Sequence, residues 1–315
     1  CKLIQEGKLK LDDRVFQILN DLQPCGAAKG DQRREKITVQ NLLQCSAGWY
    51  RRDLLCDEQE LREAAAECGV SFPPEFSQVM KHAVASPLDF DPGSRYGYSD
   101  FDYALLGEVI AHVSGKSYER YVREDILKPM GINQMRLGRT LKTAEREVHY
   151  YPSPSEPKGY SLFSQKGELA PLAYGGDFVL EFLSAAAGWI SSTIDELRFV
   201  SSVAAERPGV PLERKTTQIM FARPRLTGWQ GKQGYFSCGW EVYDSPSGIM
   251  FSRIGGMPGT VSFIVHKFDG TSWAVAFNSR SDNQALMMSE FRKIVWTNIA
   301  AQQHWPTTDL FSRYP

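Results

Sequence analysis

Asp91-Pro92-Gly93-Ser94-Arg95-Tyr96-Gly97-Tyr98-Ser99-Asp100, running straight into residues 101–113, is the stretch whose reading decides the fold. Asp-Pro-Gly is a turn signal, because Pro presets φ and Gly accepts the left-handed region. Tyr98 and Asp100 lie two apart, so an extended loop points both to one side. Leu105, Leu106, Val109, Ile110 and Val113 follow at helical spacing and predict an amphipathic helix with one apolar stripe. A polar loop anchored by a buried helix is a place to hold a reactive phenol.

Four more stretches stand beside it: LIQEGKLKLDDRV (3–15), ITVQNLLQCSAGW (37–49), AAGWISSTIDELRFV (186–200) and FSRIGGMPGTVSFIV (251–265). Together with residues 90–132, and in this order, they resemble the serine β-lactamase-like superfamily of class C β-lactamases, D,D-peptidases and related esterases and amidases. The resemblance covers nearly the whole chain. It implies an α+β fold of the β-lactamase/transpeptidase type, with an antiparallel sheet flanked by helices, a mostly helical subdomain, and the cleft between them.

The chemistry such a fold performs is acyl transfer, which needs a nucleophilic hydroxyl, a base, an oxyanion hole and a cation. In the family these come from a Ser-x-x-Lys helix, the Tyr of Tyr-x-Asn, and a strand bearing Lys/His-Thr-Gly. By that resemblance Tyr98 takes the place of the phenol that works as phenolate base or proton relay; otherwise it is an ordinary loop tyrosine beside Tyr96. Asp100 stands where the family has Asn. An ionised Asp accepts hydrogen bonds and cannot donate them, so it loses a donor to the substrate carbonyl; its plain alternative is a cap for the helix starting at Phe101. Arg253-Ile254-Gly255-Gly256 falls on the Lys/His-Thr-Gly position. Arg253 keeps a cation, Ile254 removes a hydroxyl, Gly255 permits close approach, and the Gly256 N–H takes the oxyanion role. The plain alternative is an edge-strand cation followed by a bulge. Tyr98 and Gly256 are thus the candidate catalytic positions, and Asp100, Arg253 and Gly255 the candidate substrate-binding ones.

The nucleophile is the missing part. The only literal Ser-x-x-Lys is Ser155-Glu156-Pro157-Lys158, whose prolines fit a loop and not a helix start. The expectation is therefore a fragment, with the attacking Ser and its Lys upstream of Cys1, and no acylation of the 315-residue chain itself. Ser281-Asp282-Asn283 spells another motif of these enzymes but falls where a helix cap is the plain explanation. No Gly-x-Ser-x-Gly is present, which argues against an α/β-hydrolase.

Composition narrows the rest. A net charge of -1, from 36 basic and 37 acidic residues, offers no basic excess for nucleic acid. No apolar run reaches a membrane span. The histidines at 82, 112, 149, 266 and 304 lack metal-ligand spacing, so no metal and no cofactor is expected. Of the six cysteines, Cys25, Cys45, Cys56 and Cys68 cluster; small buried thiols are the plain reading, with a disulfide left open. Frequent export of such relatives is the only ground for a periplasmic or secreted location.

Along the chain, residues 1–172 read as helices and long loops, with helices expected over 57–68 and 75–84 and a loop over 139–172. Residues 173–315 read as a helix with a Thr193/Glu196 capping box, then an antiparallel meander separated by turns at Ser245-Pro246, Pro258-Gly259 and Asp269-Gly270. A closing helix over 283–301 is expected to turn Leu286, Met287, Phe291, Ile294 and Val295 inward. No linker divides the chain, so one domain is expected. The reading is a serine hydrolase acting on a small-molecule ester or amide; the rival is a non-catalytic binding relative on the same fold.

Overall fold

A computed structural model describes residues 1–314 except 27–28, 51–53, 56, 163–168, 177–178 and 205–211. The front of the chain is helical: α1 (Lys2–Gln5), α2 (Val15–Ile18), α3 (Val39–Leu43), α4 (Glu58–Cys68), α5 (Phe76–Ala83), α6 (Asp100–Ser114) and α7 (Tyr118–Tyr121). Its core gathers around Trp49, Phe101, Leu42, Leu61, Leu105 and Val109, all buried. Trp49 and Phe101 meet edge-to-face at 4.9 Å, and burying one such side chain contributes about 1.5–3 kcal/mol.

α6 shows why these residues make this helix. Ser99 caps it by accepting from the Asp102 N–H, and Gly115 ends it at φ 68°, where a Cβ would be strained. The cap is therefore Ser99 and not Asp100, which is the first helical residue. The spacing Ser99-x-x-Asp102 is the signature that reveals it. A similar shift occurs at α8 (Thr193–Val203), which Ser192 caps through the Asp195 N–H. Glu196 instead accepts from the Ser191 hydroxyl at 2.9 Å.

The expected loop at 139–172 contains a short antiparallel ladder. After β1 (Arg136–Leu137) come β2 (Lys158–Tyr160) and β3 (Leu169–Pro171), which pair with each other, while β1 pairs with β4 (Trp189–Ile190). Three-residue strands carry too little alternation to be read from sequence.

The meander is a five-stranded antiparallel sheet in chain order: β5 (Gly234–Ser237), β6 (Trp240–Ser245), β7 (Gly248–Met257), β8 (Thr260–His266) and β9 (Ser272–Phe277). Cys238 does not belong to the alternation of β6. It and Gly239 form the β5–β6 turn at φ 45° and 87°. One sheet face packs on α8 and α9 (Arg214–Met220), through Val200, Val203, Met220, Trp240 and Phe251. The other packs on α10 (Gln284–Ala301), through Val261, Phe263, Trp273 and Met288. Asn283 caps α10, as read from the sequence. Its inner face is corrected: Met288 is buried, whereas Leu286 and Ile294 are each 56% exposed. The apolar residues of α10 wrap too far round it for a stripe to be chosen by spacing alone.

Cys25 and Cys68 form a disulfide, so the expectation of free thiols fails there. It holds for Cys1, Cys45 and Cys238; Cys56 lies outside the described residues. No helix among the described residues is long and apolar enough to cross a membrane.

Candidate active site

The loop from Asp91 to Asp100 is fixed from beneath by residues 45–48. The Gly97 N–H donates to the Cys45 carbonyl at 2.7 Å, and the Gly93 N–H to the Ser46 carbonyl at 2.8 Å. Gly97 is needed because a Cβ there would lie 2.7 Å from the Phe90 ring. Cys45 itself is fully buried at φ 47°. Behind the loop, the Tyr103 hydroxyl donates to the Leu43 carbonyl at 3.1 Å. The loop is thereby held on the helical core by main-chain bonds, which set side-chain direction more tightly than surface contacts do.

From this base Tyr98 reaches the sheet. Its hydroxyl donates to Asp100 Oδ1 at 2.7 Å and accepts from Arg253 Nη2 at 3.0 Å. Arg253 is on β7, so the bridge joins the two halves of the fold. The guanidinium also lies 5.5 Å from the Tyr98 ring centre and 5.6 Å from that of Phe236 on β5, within cation–π range. Phe236 stands edge-on to Tyr98 at 6.5 Å and beside Tyr96 at 5.5 Å, and Tyr96 meets Trp229 at 5.0 Å. These aromatics form one wall of the site.

β7 supplies the other wall. It pairs with β8 from Phe251 to Met257 but with β6 only from Gly248 to Ser252. Past Ser252 no strand among the described residues pairs with the β6 side of β7, and Gly255 and Gly256 are exposed there. Of the positions singled out in the sequence, hydrogen bonds tie together Tyr98, Asp100 and Arg253. Gly255 and Gly256 lie further along the same strand, at its open edge.

Electrostatics hold the phenol protonated. Burial pushes Tyr98 up to about 12, the Asp100 carboxylate adds to this, and Arg253 opposes it. Burial also pushes the Cys45 thiol up, with Asp102 adding to it. Asp102, one turn below the loop, was not anticipated from sequence. It is fully buried, with the Ala47 main chain and the Ser99 side chain as its polar neighbours. Burial raises its pKa well above the ordinary carboxylate value, which favours the protonated form. The Ser-x-x-Asp spacing locates it, but its burial is a tertiary fact.

Ser155 sits in an exposed turn with its hydroxyl on Asp282, and Lys158 opens β2. No helical turn puts the two on one face.

The Beta-lactamase family model matches residues 1–290 of the chain. The chain belongs to the Beta-lactamase family. A putative D-alanyl-D-alanine carboxypeptidase of Escherichia coli (strain K12) is 33% identical over 133 residues, which are 42% of this chain and 28% of that protein. The chain thus aligns with only 28% of the length of the curated relative it matches. Among solved structures, D-amino acid amidase from Ochrobactrum anthropi SV3 superposes with a TM-score of 0.66 at 18% identity, over 95% of this chain and 81% of that one. A D-stereospecific amidohydrolase from Streptomyces sp. gives 0.63 at 22%, over 92% and 81%. These likenesses establish a β-lactamase/transpeptidase-like α+β fold for this member of the family.

Proposed function

We propose that this chain carries the proton-relay and oxyanion side of an acyl-transfer site, which hydrolyses an ester or small amide through an acyl-enzyme. The observation that carries the reading is the bridge from Arg253 through Tyr98 to Asp100 at the uncovered edge of β7. In such a reaction a hydroxyl oxygen bonds to the carbonyl carbon, the carbonyl oxygen takes up negative charge, and the bond to the leaving group breaks. The proton of the attacking hydroxyl ends on the leaving oxygen or nitrogen. Water then attacks the acyl-enzyme and restores the hydroxyl.

Tyr98 serves as relay and not as a standing phenolate, because its hydroxyl stays protonated near neutrality and already has an acceptor in Asp100. The main-chain N–H of Gly256 faces the developing oxyanion. Arg253, Gly255 and Asp100 line the substrate, with Arg253 supplying fixed positive charge that pH does not remove. The D-alanyl-D-alanine carboxypeptidase and D-amino acid amidase relatives support a small carbonyl substrate next to a charged group. Asp100 and Ile254, in place of groups that donate to a β-lactam, favour an ester or simple amide. The one Ser-x-x-Lys of this sequence lies across a turn and a strand, so it does not supply the attacking serine.

A second reading, a binding relative without turnover, is favoured by one observation. Asp100 occupies the phenol's proton with a carboxylate, a contact that opposes loss of that proton. A fluorophosphonate probe separates the parts. It leaves the 315-residue chain unlabelled; a labelled residue within the chain overturns the assignment of the nucleophile. When a Ser-x-x-Lys helix is present in the same polypeptide, a p-nitrophenyl ester is turned over faster than nitrocefin, and Tyr98→Phe lowers kcat more than it raises KM. Equal turnover of nitrocefin overturns the ester preference, and stoichiometric binding without turnover establishes the second reading.

A further inference from the structure

A second cluster of ligating side chains lies away from this site, between α4 and α5. His82, on the last turn of α5, is only 6% exposed. Its Nδ1 is 2.8 Å from Glu67 Oε2 and its Nε2 is 3.1 Å from Glu60 Oε2. Both glutamates are on α4, and Glu63 lies between them on the same helical face. Ligand atoms of Glu60, Glu63 and His82 all lie within 4.8 Å of one another.

Neutral imidazole has one N–H and one bare lone pair. If Nδ1–H donates to Glu67, the Nε2 lone pair points at a carboxylate oxygen, which is repulsive unless a positive charge sits between them. Three carboxylates at i, i+3 and i+7 also repel one another along α4. Among the described residues no Lys or Arg pairs with any of them; Arg62 pairs with Glu58 instead. A proton on Nε2 would satisfy Glu60, while Glu63, which accepts from the neutral Gln59 amide at 2.8 Å, would keep a charge with no cation against it among the described residues. A divalent cation satisfies Glu60, Glu63 and Nε2 together, and an imidazole whose other nitrogen donates to a carboxylate is the arrangement metal-bound histidines adopt.

We propose that His82 Nε2, Glu60 and Glu63 form a structural site for a borderline divalent cation such as Zn2+, with Glu67 orienting the imidazole. One imidazole and two carboxylates leave a fourth tetrahedral position for water. The cation clasps α4 to α5 beside the Cys25–Cys68 disulfide, which ends α4. α5 leads directly into the segment that enters the Asp91–Asp100 loop, so the clasp steadies the approach to the candidate active site. Sequence spacing concealed it, because the residues come from two helices, with the orienting Glu67 and the ligand Glu60 15 and 22 residues from the histidine.

The test is calorimetric titration of the untagged, chelator-treated protein with ZnCl2, paralleled by thermal melts. One Zn2+ binds per chain and raises Tm. Glu63→Gln, which leaves both contacts of His82 in place, weakens binding at least about tenfold, and Glu67→Gln does so about 10–100-fold. His82→Gln abolishes it; should that variant not fold, Glu63→Gln decides. The proposal is overturned if Zn2+ neither binds nor shifts Tm. It is equally overturned if binding persists unchanged in Glu63→Gln, which would place the ion on the thiols of Cys1, Cys45 or Cys238.

Discussion

The Tyr98 hydroxyl donates to Asp100 Oδ1 at 2.7 Å, and the residue two places along the loop thereby governs the proton of the phenol. Replacing that carboxylate by an amide removes one cause of the raised pKa and supplies a donor to the phenolate. Asp100→Asn therefore lowers the Tyr98 pKa from about 12 toward the ordinary tyrosine value. Arg253→Met acts in the opposite sense, because it removes the cation that favours the phenolate. Tyrosine-labelled carbon NMR titration checks both, with Tyr98→Phe assigning the resonance among the 13 tyrosines. A fall in Asp100→Asn smaller than the rise in Arg253→Met would still fit; movement in the same direction would not.

The packing of Gly97 on Phe90 gives a test of loop rigidity. A Cβ at 97 would lie 2.7 Å from Phe90 Cε1 and 2.8 Å from Cζ. Gly97→Ala thus forces either the ring or the loop to shift and costs about 1–3 kcal/mol. Phe90→Leu in the same chain recovers part of the loss. Urea denaturation of the two single variants and the double variant measures the coupling.

The disulfide between Cys25 and Cys68 closes a loop across 43 residues of sequence. In the chain-entropy account it stabilises the fold by about 4 kcal/mol, by restricting the unfolded chain. Cys25→Ser with Cys68→Ser lowers stability by that order, as read from urea melts. Dithiothreitol has the same effect on the parent chain and none on the double variant.

Glu196 is 9% exposed, one carboxyl oxygen lacks a partner among the described residues, and burial raises its pKa from 4.5 to about 7. An acid with a raised folded pKa binds more protons folded than unfolded across that window. Its contribution is present in full below pH 4.5 and is lost as pH rises to about 7. The loss is about 3 kcal/mol at roughly 1.4 kcal/mol per pH unit. Glu196→Gln abolishes that slope and is the more stable protein at pH 8. Melts at pH 4.5, 6 and 8 reveal this directly, and the buried carboxyl of Asp102 adds a slope of the same sign that Asp102→Asn removes.

How much could be read beforehand follows the range of the interactions. Turn chemistry at Asp91-Pro92-Gly93, the apolar stripe of α6 and the alternation of β7, β8 and β9 act over a few residues and were legible. Cap positions slipped by one at Ser99 and Ser192, because neighbouring Ser, Thr and Asp residues all fit a cap and only backbone geometry selects one. The inner face of α10 was misjudged because the sheet, and not the helix, decides which side is covered. Tyr98, Asp100 and Arg253, which hydrogen bonds bring together, were singled out by motif position. The aromatic wall of Tyr96, Trp229 and Phe236 had no such position to reveal it.

The longer helices and the strands of the meander are properties of local sequence, since propensity, turn residues and periodicity act without reference to distant parts; the candidate phenol and the cation on β7 were singled out through the resemblance to the β-lactamase-like superfamily. Tertiary structure alone decided that Arg253 would reach Tyr98, that Asp102 would be sealed from water with its pKa raised, and that His82 would face three glutamates. Each depends on which surfaces pack together. Burial and the separation between charges, which set protonation and ligation, do not exist until the chain has folded.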